Sequence, residues 1–155
     1  MNDTDYMRLA LAEARKAAEE NEIPIGAVLA YRDMIIASGH NRKQNSNDPT
    51  AHAEILVLRK AACFLDKWRL TDACLYVTIE PCPMCAGAML NARISRLVYG
   101  SHNPRYGAVD SRFHLFQSSI LNHNVDVLSG VLQKECQQLM DQFFLSRRQR
   151  LHESL

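Results

Sequence analysis

The run Cys74-Leu75-Tyr76-Val77-Thr78-Ile79-Glu80-Pro81-Cys82-Pro83-Met84-Cys85 passes from a short apolar, β-branched segment into a proline-flanked pair of cysteines. Cys74 to Ile79 has the composition of a buried strand, and the prolines mark where the chain leaves it. Pro83 suits the first position of a helix, where its fixed φ is already right and its missing donor is not needed. Cys82 then falls at the N-cap and Cys85 one turn later on the same face, so both sulfurs reach one ion. Backbone N–H groups and the positive end of the helix dipole favour thiolate over thiol, the form a metal requires. The helix is expected to run to about Ala92.

Upstream, Asn47-Asp48-Pro49-Thr50 supplies a turn and His52-Ala53-Glu54 opens a second helix, continued at helical spacing by Ile55, Leu56, Leu58 and Ala62. His52, Cys82 and Cys85 together make three zinc ligands, with Glu54 as an adjacent carboxylate that does not bind the metal. A structural zinc site closes its tetrahedron with four protein ligands, whereas three leave one position for water, whose pKa the ion lowers toward neutrality. Taken alone, Cys82-Pro83-Met84-Cys85 is equally half of a structural zinc knuckle, and His52 equally a buried structural histidine. Glu54 favours catalysis, because a purely structural site has no use for a nearby proton shuttle. Glu80, at the strand end, is expected to cap a helix or steady a ligand rather than to take part in chemistry.

Around these motifs, Tyr6 to about Asn21 has the apolar periodicity of a helix that ends before Pro24. The segments 26–31 and 34–39 flank Arg32-Asp33 as a β-hairpin would, and Arg96 to Gly100 is another strand. Ser101 to Ser119 is a long, turn-rich loop of the kind that is more often functional than idle. Asn124 to Leu128 is weakly strand-like, and Gln133 to Arg150 is a final helix with Leu139, Phe143 and Phe144 on or near its packing face. The order β-β-α-β-α-β indicates a layered α/β domain whose last two connections are right-handed crossovers, with the site where strands end and helices begin.

With 155 residues and 47% hydrophobic composition, the chain is expected to form one domain, 1–155, with a substantial core. The acidic start, Met1-Asn2-Asp3-Thr4-Asp5, has no leader pattern and no apolar run approaches spanning length, so a cytoplasmic protein with no membrane association is expected. Five cysteines, an odd number, argue against a full disulfide framework. Cys63, Cys74 and Cys136 are expected to pack as small buried residues. A formal charge of +1 gives no global sign of a nucleic-acid partner. Basic residues do gather around Arg105 and at Arg147, Arg148 and Arg150, where they serve either as phosphate contacts or as the solvated end of a helix.

The segments Asp48 to Glu54, Leu75 to Thr78 leading to Glu80-Pro81-Cys82, and Cys85-Ala86-Gly87-Ala88 resemble the bacterial tRNA adenosine deaminases. The resemblance extends to Pro24-Ile25-Gly26-Ala27-Val28, Asn41, Asp141-Gln142-Phe143-Phe144 and Arg147-Arg148, and so covers nearly the whole chain. It implies the three-layer, cytidine deaminase-like α/β fold, with a central mixed sheet and helices on both faces. It also implies one Zn2+ per chain, a homodimer, and a tRNA anticodon stem-loop as partner. The implied reaction is hydrolytic conversion of adenosine to inosine at the wobble position, with Glu54 moving protons between water, the ring and the leaving amine. Asn41, Ala53, Asn103, Arg105, Arg147 and Arg148 are the implied substrate-binding residues, Asn41 having a turn residue as its alternative. His102 is a further loop residue in reach of RNA.

One departure stands out. Where relatives place Asp-Pro-Lys, this chain has Asn103-Pro104-Arg105. Arginine keeps the charge, but asparagine loses a negative charge and can donate as well as accept, so it rewards a 2′-hydroxyl less exactingly than an accept-only aspartate, which loosens the expected discrimination of RNA over DNA. Two other readings share the zinc residues. One is a deaminase of free guanine, cytosine or cytidine, which has no use for the basic periphery. The other is a noncatalytic RNA-binding subunit, which has no use for Glu54.

Overall fold

The computed structural model describes residues 1–117 and 123–153. Its elements, in chain order, are α1 (Asp3–Glu19), β1 (Gly26–Tyr31), β2 (Met34–His40), α2 (Ala53–Leu65), β3 (Ala73–Ile79), α3 (Pro83–Ala92), β4 (Arg96–Ser101), β5 (Asp126–Ser129) and α4 (Gln133–Glu153), with a short 3-10 turn at Leu115–Gln117. The strands form one mixed sheet in the order β2-β1-β3-β4-β5. β1 is antiparallel to both β2 and β3, and β3, β4 and β5 run parallel.

Alternation along the strands divides the core. Ala27, Leu29, Leu75, Val77, Leu97 and Tyr99 face α2 and α3, packing with Val57, Leu58, Cys85 and Met89. Val28, Ala30, Tyr76 and Val98 face the other way, toward Tyr6, Met7 and Ala10 of α1 and Cys136 of α4. A period of two with both sets buried is what a sheet sandwiched between helices requires. The three-layer α/β architecture is therefore as expected. Gly26 is where α1 comes closest, since a Cβ there would collide with the backbone of Ala10 and Ala14.

Local chemistry explains most boundaries. Arg32 and Asp33 both have positive φ, 48° and 65°, the two-residue turn that matches the twist of a hairpin. α1 begins earlier than its apolar period, because Asn2 caps it reciprocally with Asp5. α3 has Cys82 as N-cap and Pro83 in its first turn. The weakly strand-like segment is β5, and it pairs with β4. Residues 118 and 119, the end of the long loop read from the sequence, lie outside the described residues.

Two expectations about packing are corrected. Cys63 is exposed, because α2 buries Val57, Leu58 and Ala61 and turns position 63 to solvent. Phe143 is buried but Phe144 is 37% exposed, since consecutive helical residues lie about 100° apart and only one of the two can face the sheet. Cys136 is buried as expected, Leu139 is partly buried against the same layer, and Cys74 is half-buried.

Candidate active site

Strand ends and helix starts converge at the carboxyl end of β3. His52 caps α2 and Cys82 caps α3, each in extended backbone conformation and neither with its side chain on the cap N–H groups. Both side chains are therefore free to turn toward each other. His52 Nδ1 lies 3.6 Å from Cys82 Sγ and 3.4 Å from Cys85 Sγ. All three donor atoms lie within 4.8 Å of one another. Bond lengths of about 2.3 Å to sulfur and 2.0 Å to nitrogen around a tetrahedral ion separate S and N by roughly 3.5 Å. The two observed spacings straddle that value, and a two-thiol, one-imidazole set is chemistry suited to zinc. Among the described residues this is the one such group of His, Cys, Asp and Glu side chains.

The electrostatics fit a thiolate site. A hydrogen bond from the Cys85 thiol, working against burial and helped by His52, holds the Cys82 pKa down to about 4. The Cys85 thiol is pushed up by that same bond to Cys82 and by burial. His52 is raised chiefly by its bond to Cys82. Glu54, in the first turn of α2, is 4% exposed and reaches the Cys85 side chain, and burial raises its pKa. A buried carboxyl with a raised pKa beside a ligand set, yet outside it, is suited to carrying a proton.

Next to His52 opens a cavity of about 220 Å³ walled by Asn21, Glu22, Ile23, Asn41, Lys43, Gln44 and Arg147. Asn41 Oδ1 accepts the Ala53 N–H at 2.8 Å, which fixes the amide against the start of α2. Ala53 is fully buried and outside the lining, so it serves the site through the N–H that holds Asn41. Arg147 comes from α4, its guanidinium over the Phe143 ring at 5.6 Å from the centroid. Arg148 is exposed and lies outside the cavity lining. Glu22 and Lys43 were not singled out from the sequence. Buried Glu22 accepts the N–H groups of Gln44 and Asn45, both at 3.0 Å, and so holds the loop that carries Lys43.

Glu80 plays a similar part on the other side of the site. Its Oε2 accepts the N–H groups of Val109 at 3.1 Å, Asp110 at 2.8 Å and Ser111 at 2.9 Å. Its Oε1 accepts Asn103 N–H at 3.1 Å and the Ser111 hydroxyl. Burial pushes this carboxyl up, but the Ser111 hydroxyl and the backbone donors outweigh burial and hold its pKa at about 2. Where a helix cap or a tie to a ligand was expected of Glu80, the structure gives it the loop that follows β4. Asn103 Oδ1 in turn accepts the N–H groups of Arg105 at 3.2 Å and Tyr106 at 3.1 Å. His102 Nδ1 lies 3.1 Å from the Tyr99 hydroxyl.

The comparisons with known proteins agree with this geometry. The model of the MafB19-like deaminase family matches residues 1–148. The tRNA-specific adenosine deaminase of Haemophilus influenzae is 49% identical over 148 residues, 95% of this chain and 86% of that protein. Its counterpart in Bacillus subtilis is 44% identical over 148 residues, covering 96% of this chain and 92% of that one. The chain belongs to the tRNA-specific adenosine deaminases, within the MafB19-like deaminase family. A solved structure from work on A-to-I editing by tRNA:A34 deaminases at the wobble position superposes on this family member with a TM-score of 0.85 at 48% identity, covering 88% of this chain and 99% of that one. Bacillus subtilis guanine deaminase is 38% identical over 73% of this chain and 71% of its own, with a TM-score of 0.64.

Proposed function

We propose that this chain, acting as a single domain, hydrolytically deaminates adenosine to inosine at the wobble position of a tRNA anticodon loop. One observation carries the reading: buried Glu54 stands beside a ligand trio already spaced for zinc, and His52 of that trio lines a cavity walled mainly by polar residues. His52, Cys82 and Cys85 would hold the ion, which when bound lowers the pKa of water toward neutrality. Glu54 takes a proton from the attacking water, passes it to N1 of the purine and then serves the departing amine. Asn41 orients the nucleotide, and Arg147 faces its phosphates. A stacked base is out of reach of such a cavity, so a single-stranded loop that splays its nucleotide is the substrate that fits. Relatives named as tRNA deaminases over nearly the whole chain support tRNA as that substrate.

The same reading makes the protein a cytoplasmic homodimer. Exposed Phe64 and Met84, on α2 and α3, and Trp68 just beyond α2 offer apolar surface for a second copy. No helix among the described residues is long and apolar enough to cross a membrane.

Incubation with total cellular tRNA, followed by sequencing for A-to-G changes, tests substrate and position together. Inosine at the first anticodon position is the expected result, and unmodified tRNA would reject it. The likeness to guanine deaminase favours a second reading, action on a free base. Guanine and adenosine supplied alongside tRNA separate the two, since only the RNA substrate uses Arg105 and Arg147.

Removing the chain from Arg147 onward takes Arg147 from the cavity wall and Arg148 and Arg150 from the exposed helix beyond it. We expect weaker tRNA binding and a flatter dependence on salt, the log–log slope falling by about one for each phosphate that is no longer neutralised. Affinity titrations at several salt concentrations read this slope. An unchanged slope would make the tail a solvated helix end.

Asn103→Asp tests sugar reading. Because Asn103 Oδ1 is engaged by its own loop, the free tip of the side chain is its NH2, a donor. Aspartate preserves the capping oxygen and converts the tip to an acceptor, which rewards a 2′-hydroxyl. One hydrogen bond is worth about 1 kcal/mol, so the RNA-to-DNA activity ratio on matched hairpins should rise severalfold. An equal ratio in both proteins would show that position 103 does not read the sugar.

A further inference from the structure

The loop that Glu80 holds presents an aromatic ring with nothing on it. Tyr106 is 60% exposed, and among the described residues its ring has no hydrogen bond, ring contact or cation partner. Its backbone, in contrast, is fixed from several sides. Tyr106 N–H is engaged by Asn103 Oδ1, and Gly107 N–H donates to the Asn103 carbonyl at 2.9 Å. Ala108 N–H donates at 2.8 Å to the carbonyl of Pro81, the residue before the ligand Cys82. Gly107 lies so close that a Cβ would sit 2.5 Å from the Glu80 carboxyl carbon, so only glycine allows the loop to approach its anchor this tightly.

An exposed ring on a mobile loop is ordinary surface. A ring whose backbone is already ordered next to the metal ligands, directly after Arg105 in the chain, is different, because little backbone freedom remains to be lost on binding. Aromatic faces paired with positive charge are how proteins hold unpaired bases, since every base has a π-face. We propose that Tyr106 stacks on an unpaired base adjacent to the target nucleotide, and that Glu80 is the positioning residue that keeps this ring in place. The proposal rests on the RNA reading above and adds to it a contact outside the cavity.

The test is steady-state kinetics on an anticodon stem-loop, on the same stem-loop made abasic on the 5′ or the 3′ side of the target, and on free adenosine. Tyr106→Ala should raise KM for the intact stem-loop roughly 5- to 150-fold with kcat nearly unchanged, the range seen when a base-stacking ring is removed. Tyr106→Phe should behave as the unaltered protein, and any slow turnover of free adenosine should be the same in all. One abasic stem-loop should raise KM for the unaltered protein yet add nothing further to Tyr106→Ala.

Glu80→Gln extends the test to the anchor. With its single oxygen toward Val109, Asp110 and Ser111, the amide turns an NH2 on Asn103 N–H and releases that limb of the loop. KM should rise with zinc content retained and the melting temperature lowered, since the amide gives up bonds that hold the carboxylate well below its usual pKa, and the effect on KM should not add to that of Tyr106→Ala. An unchanged KM in Tyr106→Ala, or additivity with both abasic stem-loops, overturns the stacking contact. Loss of zinc from Glu80→Gln, or full additivity of the two substitutions, overturns the positioning role. Failure of the unaltered protein to turn over the intact stem-loop overturns the RNA reading and the proposal together.

Discussion

Glu54→Gln is expected to fold, to bind about one zinc per chain and to lose nearly all turnover. The substitution keeps the shape of the side chain and, since Glu54 lies outside the ligand trio, all three donors. What it removes is the ability to accept and return a proton, worth typically about 10²- to 10⁴-fold in rate. The site makes the loss severe because Glu54 is 4% exposed, so bulk water cannot readily replace it. Metal analysis beside a single-turnover assay measures both quantities on one sample. Substantial turnover by the glutamine variant would remove Glu54 from the mechanism, and loss of zinc would make it a ligand.

Cys82→Ala should fail in the opposite order, losing the metal first and activity with it. Zinc content is expected to fall to background, and the melting temperature should stop responding to chelators, because ligand binding stabilises only a fold that can hold the ligand. The start of α3 should persist, since the Cys82 side chain makes no capping bond there. Stoichiometric zinc in the alanine variant would mean that the trio at 52, 82 and 85 has been misassigned.

The readability of this chain differed from element to element for physical reasons. The hairpin was legible because two apolar runs flank a two-residue turn, and the metal trio because helix capping and spacing leave few arrangements for those residue types. β5 was faint, since Asp126 to Ser129 are all exposed and so show no alternation. The start of α1 was set by a polar capping pair that precedes the apolar period. Cys63 was misjudged because residue type was allowed to outweigh its position on the outward face of α2. Glu22 and Glu80 grip backbone N–H groups, and backbone donors are the same whatever the sequence. No pattern of side chains could have announced which loops they hold.

The two buried carboxylates have a consequence for how such an enzyme changes its target. The metal donors and Glu54 sit on helices, whereas Lys43, Asn103, Arg105 and Tyr106 ride on loops hung from Glu22 and Glu80 chiefly through main-chain bonds. An anchor of that kind is indifferent to the side chains it does not itself touch. Within segments 42–48 and 103–108, Lys43, Arg105 and Tyr106 are therefore open to exchange that alters what is recognised, while Asn45, Asn103 and Gly107 stay fixed by the anchors and the reaction centre beneath keeps its shape.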